Sequence, residues 1–474
     1  MTAGYTPDEP IAAIATALVP SALAIIRTSG AGCVELVSTL FSRPRALIEA
    51  QPSSLVYGWL CEPEADGKKG GRIDEVLIGV FRAPKSFTGE DMAEIYCHGG
   101  TAVVLRIYQV LLHTGFREAR RGEFTFRAFV NGKTDLTRAE AVHEIIDAKT
   151  DEARSHAAER LSGALYRELL SIKQRLMQAL ASVEAEIEYP EDEETIADAF
   201  DPSGLRDIER ELSRMCASWA SEKLYQDGAR IILCGKTNAG KSSLFNTLLK
   251  EERAIVSDIH GTTRDWLESG ISFDGLPARL FDTAGLRETD DSIEQAGVKR
   301  TEALAGEADL MLYVIDTQAG ISEEDSAFLT QFAVLYPELP VLLVCNKIDL
   351  AAAEQKGRPA ELCVNGKTFA AVYVSAKSAA GIDALTTQVR VLLGARESTE
   401  REHPGLGSRR QCKAAGEALD SVTHAIQIAE DRSLPLDAVA QDIEDALDAL
   451  GEITGTVVPD DILDIVFSQF CLGK

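Results

Sequence analysis

Apolar and polar positions change their period along this chain, and the changes mark out its elements. Up to about residue 128, short runs such as Ala22-Leu23-Ala24-Ile25-Ile26-Arg27 and Glu75-Val76-Leu77-Ile78-Gly79-Val80-Phe81 have the length and branching of strands. Thr101 to His113 carries apolar residues at helical spacing, so an α+β domain is predicted over 1–128. From about Leu136 to Glu188 the period is helical. Pro190 and the acids Glu191-Asp192-Glu193-Glu194 end it. A second helix is predicted over Ser203–Asp227. Between about 228 and 398 strand-like runs alternate with helices, as in a doubly wound sheet. Ser398 to Arg409 is polar, with Pro404, Gly405 and Gly407, and reads as a linker. Helical character resumes at Gln411. The expected fold class is α/β plus α, multidomain. A helical domain built from 129–227 and 399–474 is interrupted by the α/β domain at 228–398.

That central domain carries the chemistry. Gly235-Lys236-Thr237-Asn238-Ala239-Gly240-Lys241-Ser242 follows the apolar run Ala229–Cys234 and precedes the helix-like Ser243–Leu249. This is a phosphate-binding loop in its required strand–loop–helix setting. Its glycines curl the backbone so that N–H groups meet phosphate oxygens. Lys241 neutralises charge between the outer phosphates, and the Ser242 hydroxyl suits Mg²⁺. Asp282-Thr283-Ala284-Gly285 follows Ala278–Phe281, an acidic strand end for the metal with a glycine N–H for the terminal phosphate. Asn346-Lys347-Ile348-Asp349 follows Val341–Cys345, and the Asp349 carboxylate accepts two hydrogens from a guanine edge. Ser375-Ala376-Lys377 follows Ala371–Val374 and closes the base pocket. Thr263, in Gly261-Thr262-Thr263-Arg264-Asp265, is a second Mg²⁺ ligand. Any one motif is an ordinary turn; in this order, each at a strand end, they predict a guanine-nucleotide site.

Composition sets the boundaries. The net charge of −27 excludes a broad electrostatic coat for nucleic acid. The nine cysteines are scattered without a zinc-like pair, which fits free thiols in a reducing cytoplasm. Neither a signal peptide nor an apolar stretch of membrane-spanning length is read. Arg117 with Arg120 and Arg121, and Arg409-Arg410 with Lys413, are basic spots that fit either solvated faces or nucleic-acid phosphates.

Two positions depart from a small GTPase. Leu286 stands where a glutamine commonly orients the attacking water. Glu288, Asp290, Asp291 and Glu294 are its possible substitutes, and spacing does not choose among them. Arg264 and Arg287 are positive charges nearby. Asn238, inside the phosphate loop, either holds a monovalent cation with its side-chain carbonyl or stabilises the turn.

With these residues in hand, the chain resembles the MnmE (TrmE) family of tRNA-modification GTPases nearly end to end. The resemblance is carried by Ser86-Phe87-Thr88-Gly89-Glu90-Asp91, Cys97-His98-Gly99-Gly100, Arg121-Gly122-Glu123-Phe124-Thr125, Asn131-Gly132-Lys133 and the two nucleotide runs. Phe470-Cys471-Leu472-Gly473-Lys474 completes it. It implies a homodimer formed through the N-terminal domain, which binds 5-formyltetrahydrofolate. It also implies an FAD-dependent partner, MnmG, in a heterotetramer, and tRNA wobble uridine as the modified base. GTPase domains would pair with potassium in place of an arginine finger. By position, Asn238, Ser257, Ile259 and Thr262 match the potassium shell, and Ser243, Asp258 and His260 fall in the family's nucleotide segments. Glu294 matches the water-orienting glutamate, and Cys471 a cysteine needed for modification. Arg27, Glu90, Lys133 and Lys474 match positions around the folate. On residue type alone Cys471 reads as a buried small hydrophobe. One segment departs: Ala17-Leu18-Val19-Pro20-Ser21-Ala22-Leu23 replaces a glycine-rich stretch usual in the family.

Two other classes compete. An RNA-binding or ribosome-assembly GTPase switch shares the core motifs, but not the N-terminal runs or the Cys-Leu-Gly-Lys end. A membrane-remodelling GTPase needs an amphipathic basic or apolar helix. Ile462-Leu463-Asp464-Ile465-Val466-Phe467 is apolar but flanked by acids, and is expected to pack in a core.

Overall fold

The fold comes from a computed structural model that describes residues 6, 9–63, 70–188, 202–251, 267–282, 304–350, 359–394, 403–430 and 435–474. The chain forms two compact units, 1–143 with 166–209 and 414–474, and 144–165 with 210–413. The helical stretches expected at 129–227 and 399–474 are divided between them.

In the first unit, strands β1 (Ile11–Ile14), β2 (Ser21–Ser29), β3 (Ser54–Cys61), β4 (Arg72–Phe81), β5 (Met92–Gly99) and β6 (Arg117–Glu118) form one sheet in the order β3-β4-β5-β2-β1-β6. The β2–β5, β3–β4 and β4–β5 pairs are antiparallel, so side chains alternate between the two faces. Ala24, Ile26, Val76, Ile78 and Ile95 point to one face. There Val34 and Val37 of the helix Cys33–Thr39, and Val104, Ile107 and Leu111 of the helix Thr101–His113, bury them. The other face is covered at its β1 end, where Ile11, Ala13 and Met92 are buried with Phe124, and carries an exposed apolar patch further on: Leu23 is 64%, Leu55 61%, Tyr57 52% and Leu77 41% exposed. Register places Tyr57, Leu77, Tyr96 and Ile25 in one row across it.

The helix Asp460–Ser468 packs as its sequence predicts. Leu463, Val466 and Phe467 join Phe126, Leu136 and Phe470 in a core, with Phe126 and Phe467 edge to face at 5.4 Å.

In the second unit, β7 (Ala229–Gly235), β8 (Leu267–Phe273), β9 (Leu276–Asp282), β10 (Leu310–Asp316), β11 (Val341–Asn346), β12 (Glu361–Val364) and β13 (Lys367–Tyr373) run in the order β12-β13-β11-β10-β7-β9-β8. The five central strands are parallel, and the two edges, β8 and β12, are antiparallel. Continuous apolar runs such as Leu310–Ile315 are buried on both faces, as a parallel sheet between helices requires.

The stretch expected to be a polar linker is packed where it is described. Gly405, Leu406 and Gly407 are buried. The Gly407 carbonyl accepts from Gln226 Nε2 at 2.5 Å, and its N–H donates to Gln411 Oε1 at 2.7 Å. A Cβ at Gly407 would collide with Glu144 and Arg160, which explains the glycine. Arg160 is itself buried; it donates to Glu144 Oε2 at 2.8 Å and to Glu222 Oε2 at 2.9 Å. Removing Glu222 takes away one of the two carboxylates that balance the buried Arg160 guanidinium. Glu222→Ala is expected to cost about 3–5 kcal/mol in denaturant unfolding, whereas breaking an exposed pair such as Arg154–Asp151 is expected to leave the unfolding midpoint nearly unchanged.

Candidate guanine-nucleotide site

β7 delivers the phosphate loop. Ile231, Ile232 and Leu233 anchor the strand in the core. Gly235 (φ 132°), Asn238 (φ 65°) and Gly240 (φ 97°) then curl the chain before the helix Lys241–Glu251. N–H groups at a helix start have no partner within the helix and suit an anion. Lys241 is 8% exposed, and its ammonium donates to the Gly235 and Lys236 carbonyls at 2.6 and 2.7 Å, which holds the charge in the mouth of the loop. Ser242 is exposed on the first helical turn. Asp282 ends β9, level with Leu233 of β7. The Ser242 hydroxyl is a hard oxygen donor of the kind Mg²⁺ takes, placed at the start of the helix after the phosphate loop.

The base corner is assembled around Asn346, 1% exposed at the end of β11. Its Nδ2 donates to the Ala239 carbonyl at 3.0 Å. Its Oδ1 accepts from the N–H groups of Lys347 and Ala376 at 2.8 and 3.0 Å. One amide thus ties together the phosphate loop, its own loop and the third motif. A Cβ at Gly240 would fall within the contact radius of Asn346 Nδ2. Ser375, fully buried, donates from Oγ to Asp349 Oδ1 at 2.7 Å and so fixes that carboxylate. Thr247, on the helix after the phosphate loop, donates to the Ala376 carbonyl at 2.6 Å. Asn238, Ala239, Gly240, Lys241, Ser242, Ser243, Asn346, Lys347, Asp349, Ser375, Ala376 and Lys377 therefore lie at the C-terminal ends of neighbouring strands, where ligands of open α/β sheets bind.

Ser257, Asp258, Ile259, His260, Gly261, Thr262, Thr263, Thr283, Ala284, Gly285 and Glu294 lie outside the described residues, as do Arg264, Leu286, Arg287, Glu288, Asp290 and Asp291. Sequence reasoning missed Thr247 and Asp316. Asp316 had a readable signal: it ends the apolar run Leu310–Ile315 as Asp282 ends its own.

In the first unit, Arg27 donates to Glu94 Oε1 at 2.8 Å and to the Gly473 carbonyl at 3.1 Å. Its guanidinium lies 5.5 Å from the Phe87 ring centre and 5.7 Å from that of Phe124. Lys474 accepts the Phe124 N–H with its carbonyl, and burial, then Arg27, pushes its ammonium pKa down. Lys133 donates to the Pro84 carbonyl at 2.8 Å. Glu90 is 8% exposed and accepts from Ser29 Oγ at 2.7 Å and from buried Arg127 at 2.8 Å. Arg27 thus reaches Phe87 and Gly473, Lys133 holds the Pro84 carbonyl, and Glu90 is fixed by Ser29 and Arg127.

Cys471 is exposed, not the buried hydrophobe its residue type implies, because Phe470 takes the core position beside it. None of residues 17–23 takes a positive φ, so the missing glycines leave no backbone strain there. Arg117 is committed to Glu9 and Glu123, at 2.7 and 2.6 Å, which favours a structural role over a phosphate contact.

Residues 136–471 match the family described as MnmE helical domain, and residues 10–133 match GTP-binding protein TrmE N-terminus. The chain is 50% identical over 477 residues to the tRNA modification GTPase MnmE of Treponema denticola, covering 99% of each. The chain belongs to the MnmE family. The protein of the same name from Treponema pallidum is 44% identical over 503 residues, covering 99% of each. That of Moorella thermoacetica is 39% identical over 473 residues, 98% of this chain and 100% of that protein. The resemblance read from the motifs, and the combination of an α/β GTPase domain with helical and N-terminal domains, are borne out. As an MnmE-family GTPase the chain is a GTP hydrolase. Among the described residues no helix is long and apolar enough to cross a membrane.

Proposed function

We propose that this chain is the GTP-hydrolysing subunit of an enzyme that adds an aminomethyl or carboxymethylaminomethyl group to C5 of the wobble uridine in certain tRNAs. The observation that carries this is end-to-end identity to tRNA modification GTPases, together with a nucleotide corner assembled by Asn346. GTP sits with its phosphates on the N–H groups of 238–243 and its base on Asp349. Lys241 neutralises developing charge, Ser242 and Thr263 hold Mg²⁺, and Glu294 orients the water. The remaining nucleotide contacts come from Ser257–Thr263 and Asp282–Gly285.

Asn238, Ser257, Ile259 and Thr262 hold K⁺, which when bound supplies positive charge beside the phosphates. The exposed apolar patch on the sheet is what a second copy of the chain would cover, in keeping with a homodimer. The helical segments 129–227 and 399–474 transmit closure of the 228–398 domain. Arg27, Glu90, Lys133 and Lys474 hold the 5-formyltetrahydrofolate one-carbon donor near Cys471, and the FAD-dependent partner MnmG completes the enzyme on tRNA.

GTP hydrolysis is expected to run about tenfold or more faster in K⁺ than in Na⁺ at matched ionic strength and Mg²⁺, and Asn238→Ala to remove the difference. Equal rates in both salts would remove the cation site and the paired-domain mechanism from this reading.

A further inference from the structure

We propose that Asp316 is a positioning residue of the guanine-nucleotide site, acting through Lys347 to latch the phosphate loop against the base-reading loop. β10 lies between β7, which carries the phosphate loop, and β11, which carries the base loop. Asp316 is the last residue of β10 and is level with Asn346. Its Oδ2 accepts from Lys347 Nζ at 2.8 Å, and the same ammonium donates to the Asn238 carbonyl at 2.6 Å. Lys347 is therefore a strut with one end on each loop.

The backbone points the same way. Lys347 and Asn238 both sit at φ 65°. Asparagine tolerates that left-handed region; lysine is rare there and is kept only where its surroundings over-determine it. Asp316 is itself held. Its Oδ1 accepts the Gln318 N–H at 3.0 Å, the Thr317 N–H donates to the Asn346 carbonyl at 3.0 Å, and Gln318 Nε2 donates to the Leu350 carbonyl at 2.9 Å. The turn after β10 thus grips both ends of the 346–350 loop and presents one carboxylate to one ammonium. A bond of this charge-assisted kind is stronger than a neutral one. Without it the four-carbon side chain of Lys347 regains rotamer freedom and the strut loosens.

The test is release of a fluorescent GDP analogue from the full chain, followed by stopped flow into excess GDP. Asp316→Ala and Lys347→Ala are each expected to speed release about ten- to a hundredfold. Asp316→Asn keeps one of the two acceptor oxygens, enough for either the Gln318 N–H or Lys347 Nζ, and is expected to fall between the parent chain and Asp316→Ala. The double variant Asp316→Ala/Lys347→Ala is expected to be no faster than Lys347→Ala alone, because Asp316 acts only through Lys347. Release from Asp316→Ala at the parent rate would overturn the proposal. So would a double variant whose acceleration is the product of the two singles, or an Asp316→Asn chain as fast as Asp316→Ala. If Asp316→Ala does not fold, the same cycle with Asp316→Ser decides.

Discussion

Asp349→Asn is expected to turn the chain from GTP toward xanthosine triphosphate. The Asp349 carboxylate is held by Ser375 Oγ at 2.7 Å, so it offers fixed acceptors to the two N–H donors of a guanine edge. An asparagine there presents one donor and one acceptor. It leaves one guanine donor unmatched but pairs with xanthine, which has a carbonyl where guanine has an amino group. Sites built around such a bond discriminate by about 10⁴–10⁵ when it is lost. The kcat/KM for GTP is expected to fall about a thousandfold or more, with xanthosine triphosphate restoring most of it. Unchanged GTP turnover would show that the base is read elsewhere.

Gly240→Ala is the second large effect. At φ 97° an alanine is strained, and its Cβ would push against Asn346 Nδ2. Relief requires the loop to move or Asn346 to release the Ala239 carbonyl. Asn346 also positions Lys347 and Ala376, so the base corner would shift along with the phosphate loop. The combined strain and lost bonds amount to about 3 kcal/mol or more, so GTP is expected to bind more than about a hundredfold more weakly in a fluorescence titration. Gly416→Ala is the control: a Cβ there meets nothing within 4 Å, and binding should not change.

What could be read in advance was local. The helix Thr101–His113 and the helix Ser203–Asp227 follow from apolar spacing and their stop signals, and the structure places both at those bounds. The phosphate loop was legible because glycine, lysine and serine do their work within a few residues of one another. The packed strap at 405–407 was not. Polar and glycine residues look like linker until one sees that Arg160 and Glu222, far away in sequence, lie against them. Asp316 was missed for the same reason, since its partner Lys347 belongs to another strand end. Cys471 was misjudged because residue type does not say which of two adjacent side chains, Phe470 or Cys471, turns into the core. The exposed sheet patch was visible only as the apolar outward positions Leu23, Leu55, Tyr57 and Leu77. That Tyr57, Leu77, Tyr96 and Ile25 fall in one row depends on strand register.

The central claim is that the nucleotide site serves tRNA modification. The direct measurement is mass-spectrometric nucleoside analysis of tRNA from a strain lacking this chain, complemented either with the parent sequence or with Gly240→Ala. Loss of the C5-modified wobble uridine in the deletion, its return with the parent chain and its continued absence with Gly240→Ala are the predicted results. Normal wobble-uridine modification in the deletion strain would contradict the account outright.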